Sequence, residues 1–142
     1  MVCTFFGHRD CYGLDVSALE RTIEELIAKG VDTFYVGEQG GFDRAVRSCL
    51  SRLCKIHRQV SFTVVLAYLP QDGDGTVENS LYPEGMEEVP RRFAIEKRNR
   101  WMMERANYCL CFVTHKWGGA YKFARLAKRK GLTVINLGDT AL

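Results

Sequence analysis

Twice in this chain a short apolar run empties into a glycine-rich turn and at once becomes a helix-period pattern. This feature constrains the fold more than any other. Thr33 to Val36 leads into Gly37-Glu38-Gln39-Gly40-Gly41, after which Phe42, Ala45, Val46, Cys49, Leu50 and Leu53 recur at helical spacing. Tyr108 to Val113 leads into Thr114-His115-Lys116-Trp117-Gly118-Gly119, followed by the stripe Ala120, Phe123, Ala124 and Ala127. Glycines at a strand-to-helix turn let backbone N–H groups approach a ligand, and the helix N-terminus that follows favours negative charge. The two turns together predict a cradle for an anion or a nucleotide phosphate.

The rest of the chain keeps the same rhythm. Val2 to Phe6 is an almost unbroken apolar run, as a central strand buried on both faces requires. Asp15 can cap a helix whose stripe is Leu19, Ile23, Leu26 and Ile27, with Gly30 just past its end. Phe62 to Tyr68 reads as a third strand, and Leu132 to Leu137 as the last. Residues 69–89 break the pattern with Asp72-Gly73-Asp74-Gly75, Glu78-Asn79-Ser80 and Pro83-Glu84-Gly85, and read as a long acidic loop. Pro90 suits the first turn of a helix running to about Arg105.

Alternating strands and helices predict an α/β fold, with residues 1–142 forming one Rossmann-like domain. The expected core is a parallel five-stranded sheet of order 3-2-1-4-5, covered by helices on both faces through right-handed crossovers. Ligands bind such sheets beyond the carboxyl ends of the strands, where the order reverses. That point falls between the first and fourth predicted strands. It brings together Gly7-His8-Arg9-Asp10 and Thr114 to Gly119, flanked by Gly37 to Asp43.

Composition narrows the function classes. With 20 basic and 17 acidic residues the net charge is only +3, so the whole molecule is not a polyanion-binding surface. No apolar run approaches a membrane span and no signal peptide is apparent, so the expectation is a cytoplasmic protein without membrane partners. The six cysteines include no C-x-x-C pair and read as buried structural thiols, with neither a metal site nor a cofactor implied.

Each candidate site residue has a structural as well as a functional reading. Arg9 could hold a phosphate or carboxylate bidentately and His8 could donate to a ligand or carry a proton; both could instead satisfy loop carbonyls or Asp10. Gly40 and Gly41 could serve a ligand or simply allow close helix–strand packing. Asp43 is favourable in the first helical turn without further role, and as a ligand group would suit a ribose hydroxyl rather than a phosphate. Arg98 and Asn99 interrupt the apolar stripe of the third helix three and four residues after Ile95, so both face inward and need partners, from the protein or from a ligand. Trp117 could stack on a base or cap the sheet edge. Glu38 is the one carboxylate of a switch-point turn without a capping role, a lone candidate for catalysis.

The segments Thr4-Phe5-Phe6-Gly7-His8-Arg9, Gly37-Glu38-Gln39-Gly40-Gly41-Phe42-Asp43, Arg98-Asn99-Arg100-Trp101-Met102 and Trp117-Gly118-Gly119-Ala120 resemble, in order and spacing, the SLOG superfamily. The similarity is to its small bacterial YpsA-like branch, and it covers the chain apart from the acidic loop. Relatives in that superfamily include DprA and the LOG phosphoribohydrolases. The resemblance implies a Rossmann-like fold and a nucleotide pocket. In it Gly7, His8 and Arg9 form the first loop, Gly40, Gly41 and Asp43 the second, Arg98 and Asn99 the helix contribution, and Gly118 and Gly119 the phosphate turn. Gly37, Thr114 and Trp117, in the same switch-point turns, complete the expected ligand-binding set. The LOG pattern Gly-Gly-x-Gly-Thr-x-x-Glu is absent: the run here is Gly118-Gly119-Ala120-Tyr121-Lys122-Phe123-Ala124. Phosphoribohydrolase activity therefore does not carry over.

The expectation is a sensor or regulatory module that binds a nucleotide or nucleotide-derived small molecule. Its alternative is an N-glycosidic-bond hydrolase or transferase acting on nucleosides or nucleotides, with Glu38 the available carboxylate. Single-stranded nucleic acid is the less favoured partner on charge grounds, and a homo-oligomer is left open.

Overall fold

The computed structural model describes residues 1–69 and 79–142. Its elements run β1 (Val2–Gly7), α1 (Val16–Ala28), β2 (Thr33–Val36), α2 (Gly40–Ile56), β3 (Ser61–Val65), β4 (Ser80–Leu81), α3 (Ala94–Glu104), β5 (Tyr108–Phe112), α4 (Gly119–Arg129) and β6 (Thr133–Asn136). The strands form one parallel sheet in the order β4-β3-β2-β1-β5-β6.

The period-2 side-chain alternation sorts the core into two layers. Phe5, Leu110 and Phe112 face the side covered by α1 and α2, where they meet Leu19, Ile23, Leu26, Phe42 and Leu50. Phe6, Cys109 and Cys111 face the other side and pack on Met102 and Met103 of α3 and Phe123, Ala124 and Ala127 of α4. Each fully buried Leu or Phe of these layers contributes about 1.5–3 kcal/mol. All six cysteines are free thiols, and Cys3, Cys49, Cys109 and Cys111 are buried. Among the described residues no helix is long and apolar enough to cross a membrane, and no group of side chains could hold a metal ion.

Three expectations need correction. The sheet has six strands, not five: Ser80–Leu81 adds a two-residue edge, with Val64 opposite Ser80 and Val65 opposite Leu81. Two residues are too few to show a period, so the strand is made by β3's open edge rather than announced by its own sequence. The 69–89 stretch also contains a 3-10 turn at Met86–Glu88, with Met86 buried against Ala67 and Ala94. Residues 70–78, with the Asp72-to-Gly75 turn, lie outside the described residues. Finally, Pro90 precedes the helix instead of opening it: its ψ is 138°, and a 3-10 turn at Arg91–Phe93 leads into α3.

The crossover geometry puts the β1–α1, β2–α2 and β5–α4 loops at the carboxyl end of the sheet, with the β1/β5 pair marking the reversal of strand order.

Candidate functional site

At that reversal lies a cleft of about 400 Å³, within the range that holds small ligands. Its walls include Gly7, His8, Arg9 and Asp10 from the first loop, Gln39 and Asp43 from the second, Ile95, Arg98, Asn99 and Met102 from α3, and His115, Trp117, Gly118, Gly119 and Ala120 from the third.

The β5–α4 turn presents the anion-binding geometry. Gly118 has φ +90° and makes no side-chain cap, and the first paired amide of α4 is that of Lys122, which donates to the Gly118 carbonyl at 3.1 Å. Among the described residues the amides of Gly119, Ala120 and Tyr121 have no partner. No acidic residue occupies that first turn. Nothing lies within 4 Å of a Cβ placed on Gly119, so the approach is open. Three free donors at the positive end of a helix dipole favour an anion.

The β2–α2 turn is built differently, and the packing reading of its glycines accounts for their contacts. The Gly41 amide donates to the Arg9 carbonyl at 2.7 Å, and the Gln39 amide to Asp43 Oδ2 at 3.0 Å. Gly40, with φ +88°, lets the turn lie against Arg9, whose Cα would be 2.6 Å from any Cβ there. Gly40 and Gly41 thus hold the first loop in place; they do not line the cleft. Gly37 is also outside the cleft wall. A Cβ on it would stand 2.7 Å from both Arg98 Nη1 and Asp43 Oδ2, so the absence of a side chain lets those two groups converge.

Arg98 is the largest fully buried side chain, 2% exposed. Nη1 donates to the Val65 carbonyl at 3.0 Å and Nε to Asn99 Oδ1 at 2.9 Å. Among the described residues Nη2 has no acceptor and Arg98 makes no direct ion pair. Burial pulls its guanidinium below the ordinary arginine range, opposed by the nearby charges of Asp43 and Glu38. Asp43 is equally enclosed. Burial pushes its carboxyl up to about 6, against the pull of Arg98, the Gln39 amide and Arg47. Arg47 itself donates to the Gly37 carbonyl at 3.0 Å. Glu38 is raised by burial too, but it stands outside the cleft wall beside Arg98 and Arg47. The candidate carboxylate of the enzyme alternative thus stands outside the cleft wall, whose carboxylates are Asp10 and Asp43.

A stack of three rings forms the opposite wall. His8 lies on His115 with centroids 3.6 Å apart and 15° between planes, and His115 on Trp117 at 3.8 Å and 20°. His8 Nε2 accepts the Thr114 amide at 3.0 Å, so that nitrogen carries no proton and the ring is neutral with hydrogen on Nδ1. Burial, with His115 alongside, lowers its pKa accordingly. Thr114 serves this bond and does not line the cleft. Trp117 is 68% exposed, leaving one face of its indole free at the rim. His115, the middle ring of the stack, has no sequence signal beyond its place in the glycine turn.

No protein-family model and no curated protein matches this chain.

The chemistry of the cleft therefore rests on its own residues. It combines free helix amides for an anion, a buried guanidinium with one unused amino group, an aromatic platform, and carboxylates placed for hydroxyl donors. The structure brings together Gly7, His8, Arg9, Asp43, Arg98, Asn99, Trp117, Gly118 and Gly119 of the expected set. It leaves Gly37, Glu38, Gly40, Gly41 and Thr114 as supports behind the wall. Ile95 and Met102 of α3 also line it, as do Asp10, Gln39 and His115, which lie in the loops expected at the switch point but carry no expected ligand role.

Proposed function

We propose that the domain binds a nucleotide or nucleotide-derived small molecule in this cleft and acts as a sensor or regulatory module. The observation that carries the reading is a cleft lined by Gly119 and Ala120, whose amides are unpaired, and by the buried Arg98, with the exposed Trp117 at its rim. A phosphate suits the amides, a base suits the indole, and Asp10 and Asp43 suit ribose hydroxyls. The SLOG-like order of the four segments supports the same assignment.

Titration with mononucleotides, dinucleotides and cyclic nucleotides tests it, read by thermal shift and by Trp117 fluorescence with a Trp117→Phe control. A bound nucleotide at 100 times its Kd stabilises by about 2.7 kcal/mol. Trp117→Ala should weaken binding by roughly 1–3 kcal/mol, the worth of one base stack, without lowering the apo melting temperature. Absence of a shift with every nucleotide class would discard the reading. One observation favours the N-glycosidase alternative: Asp43, a cleft carboxyl raised to about 6, is suited to general acid work. Release of free base that disappears in Asp43→Asn would establish it.

A further inference from the structure

The modest net charge of the chain conceals a sharp division. Residues 90–142 carry 12 Lys and Arg against three Asp and Glu, whereas residues 1–89 carry 8 against 14. The basic part builds α3 and α4, which lie side by side on one face of the sheet over a shared apolar layer. Since Phe123, Ala124 and Ala127 turn inward, Lys122, Arg125 and Arg129 fall together on the outward face of α4, spanning about 10.5 Å at 1.5 Å per residue. All three are exposed, as is Lys97 of α3. Among the described residues the acid that pairs with this face is Glu96, which bonds Lys122 at 2.8 Å and Arg100 at 3.2 Å. Several cations are laid over rings: Arg105 over Trp101 at 4.0 Å and Arg125 over Tyr121 at 5.6 Å. A ring does not neutralise a guanidinium, and among the described residues neither of these two has an ion-pair partner.

Helix stability accounts for part of this arrangement only. Lys128 and Arg129 complement the C-terminal end of the α4 dipole. Lys122 and Arg125 stand in its first two turns, where a cation is mildly unfavourable. The same helix opens at the cleft, and Lys122 follows its free amides directly. We propose that the cleft takes the terminal nucleotide of a single-stranded nucleic acid, whose succeeding phosphates run along the outward face of α4 beside α3. This rests on the nucleotide reading above and gives the ligand its class. A single strand is required because Trp117 stacks on an unpaired base and the cleft admits about one nucleotide.

Fluorescence anisotropy with labelled linear dT10 and dA10, alongside mononucleotide titration, is the test. The linear strand should bind at least tenfold tighter than its mononucleotide. Its affinity should fall with salt at a log–log slope of about −2, as three single-strand phosphates require. The double variant Arg125→Glu/Arg129→Glu should lose at least tenfold for the strand and nothing for the mononucleotide. Three results overturn the proposal: strand binding unchanged in that variant, a circular single strand or blunt duplex competing as well as the linear strand, or equal affinity for strand and mononucleotide. Mononucleotide binding without tighter strand binding sinks this proposal alone; loss of both sinks the nucleotide reading with it.

Discussion

Replacing Arg98 with alanine asks the most of the structural account, because the guanidinium serves the fold and the cleft at once. The change removes the donors to the Val65 carbonyl and to Asn99 Oδ1, and the positive charge facing Asp43. Breaking a buried charge constellation by deleting one member costs about 3–5 kcal/mol, since the remaining groups stay buried without compensation. For a chain of this size that is a fall in melting temperature of roughly 10–20 °C. The loss should depend on pH. Asp43 already sits at about 6 with Arg98 beside it, and without Arg98 it rises further. The variant is therefore penalised more at pH 8, where Asp43 must ionise, than at pH 5, where it keeps its proton. Adding Asp43→Asn removes the stranded charge and should recover about 1–3 kcal/mol of the loss at pH 8. Chemical denaturation of the single variants and the double variant at both pH values measures each quantity. A loss below about 1 kcal/mol, or strict additivity of the two substitutions, would refute the claim that these groups form one buried unit.

Two further predictions concern titration and thiols. His8 has a lowered pKa, so its contribution is present above the unfolded value near 6.5 and is lost as pH falls below it; the raised Asp43 acts oppositely, favouring the fold as pH falls from about 6 towards 4. Melting scans from pH 8 to 4 should therefore steepen their acid loss in Asp43→Asn and flatten it in His8→Gln, which keeps an acceptor for the Thr114 amide; the reverse pattern would contradict both assignments. With six free thiols, a thiol reagent in denaturant should count six; in the native state Cys11 and Cys54 should react promptly while the buried four stay protected, and prompt modification of Cys109 or Cys111 would contradict the packing.

The chain's pattern by itself determined the parallel α/β sheet, its two-sided core and the location of the cleft. These follow from local periodicities: unbroken apolar runs, helical stripes on alternate segments, and glycine turns after the strands. Even Arg98 was visible as an inward polar residue, because the face of a helix is a matter of spacing. What the tertiary structure decided are pairings between distant residues, which no window of sequence contains. The β2–α2 glycines could serve a ligand or close packing, and it is the fold that gives the amide of Gly41 to the Arg9 carbonyl, 32 residues earlier. Trp117 found its stacking partner in His115 and, beyond it, in His8, more than 100 residues away. Glu38 and Asp43 lie five residues apart, and only packing puts one behind the cleft wall and the other in it. β4 exists because β3 had an unpaired edge. The sorting of charge onto α3 and α4 was written in the residue order, but a total of +3 hid it until the fold placed both helices on one face.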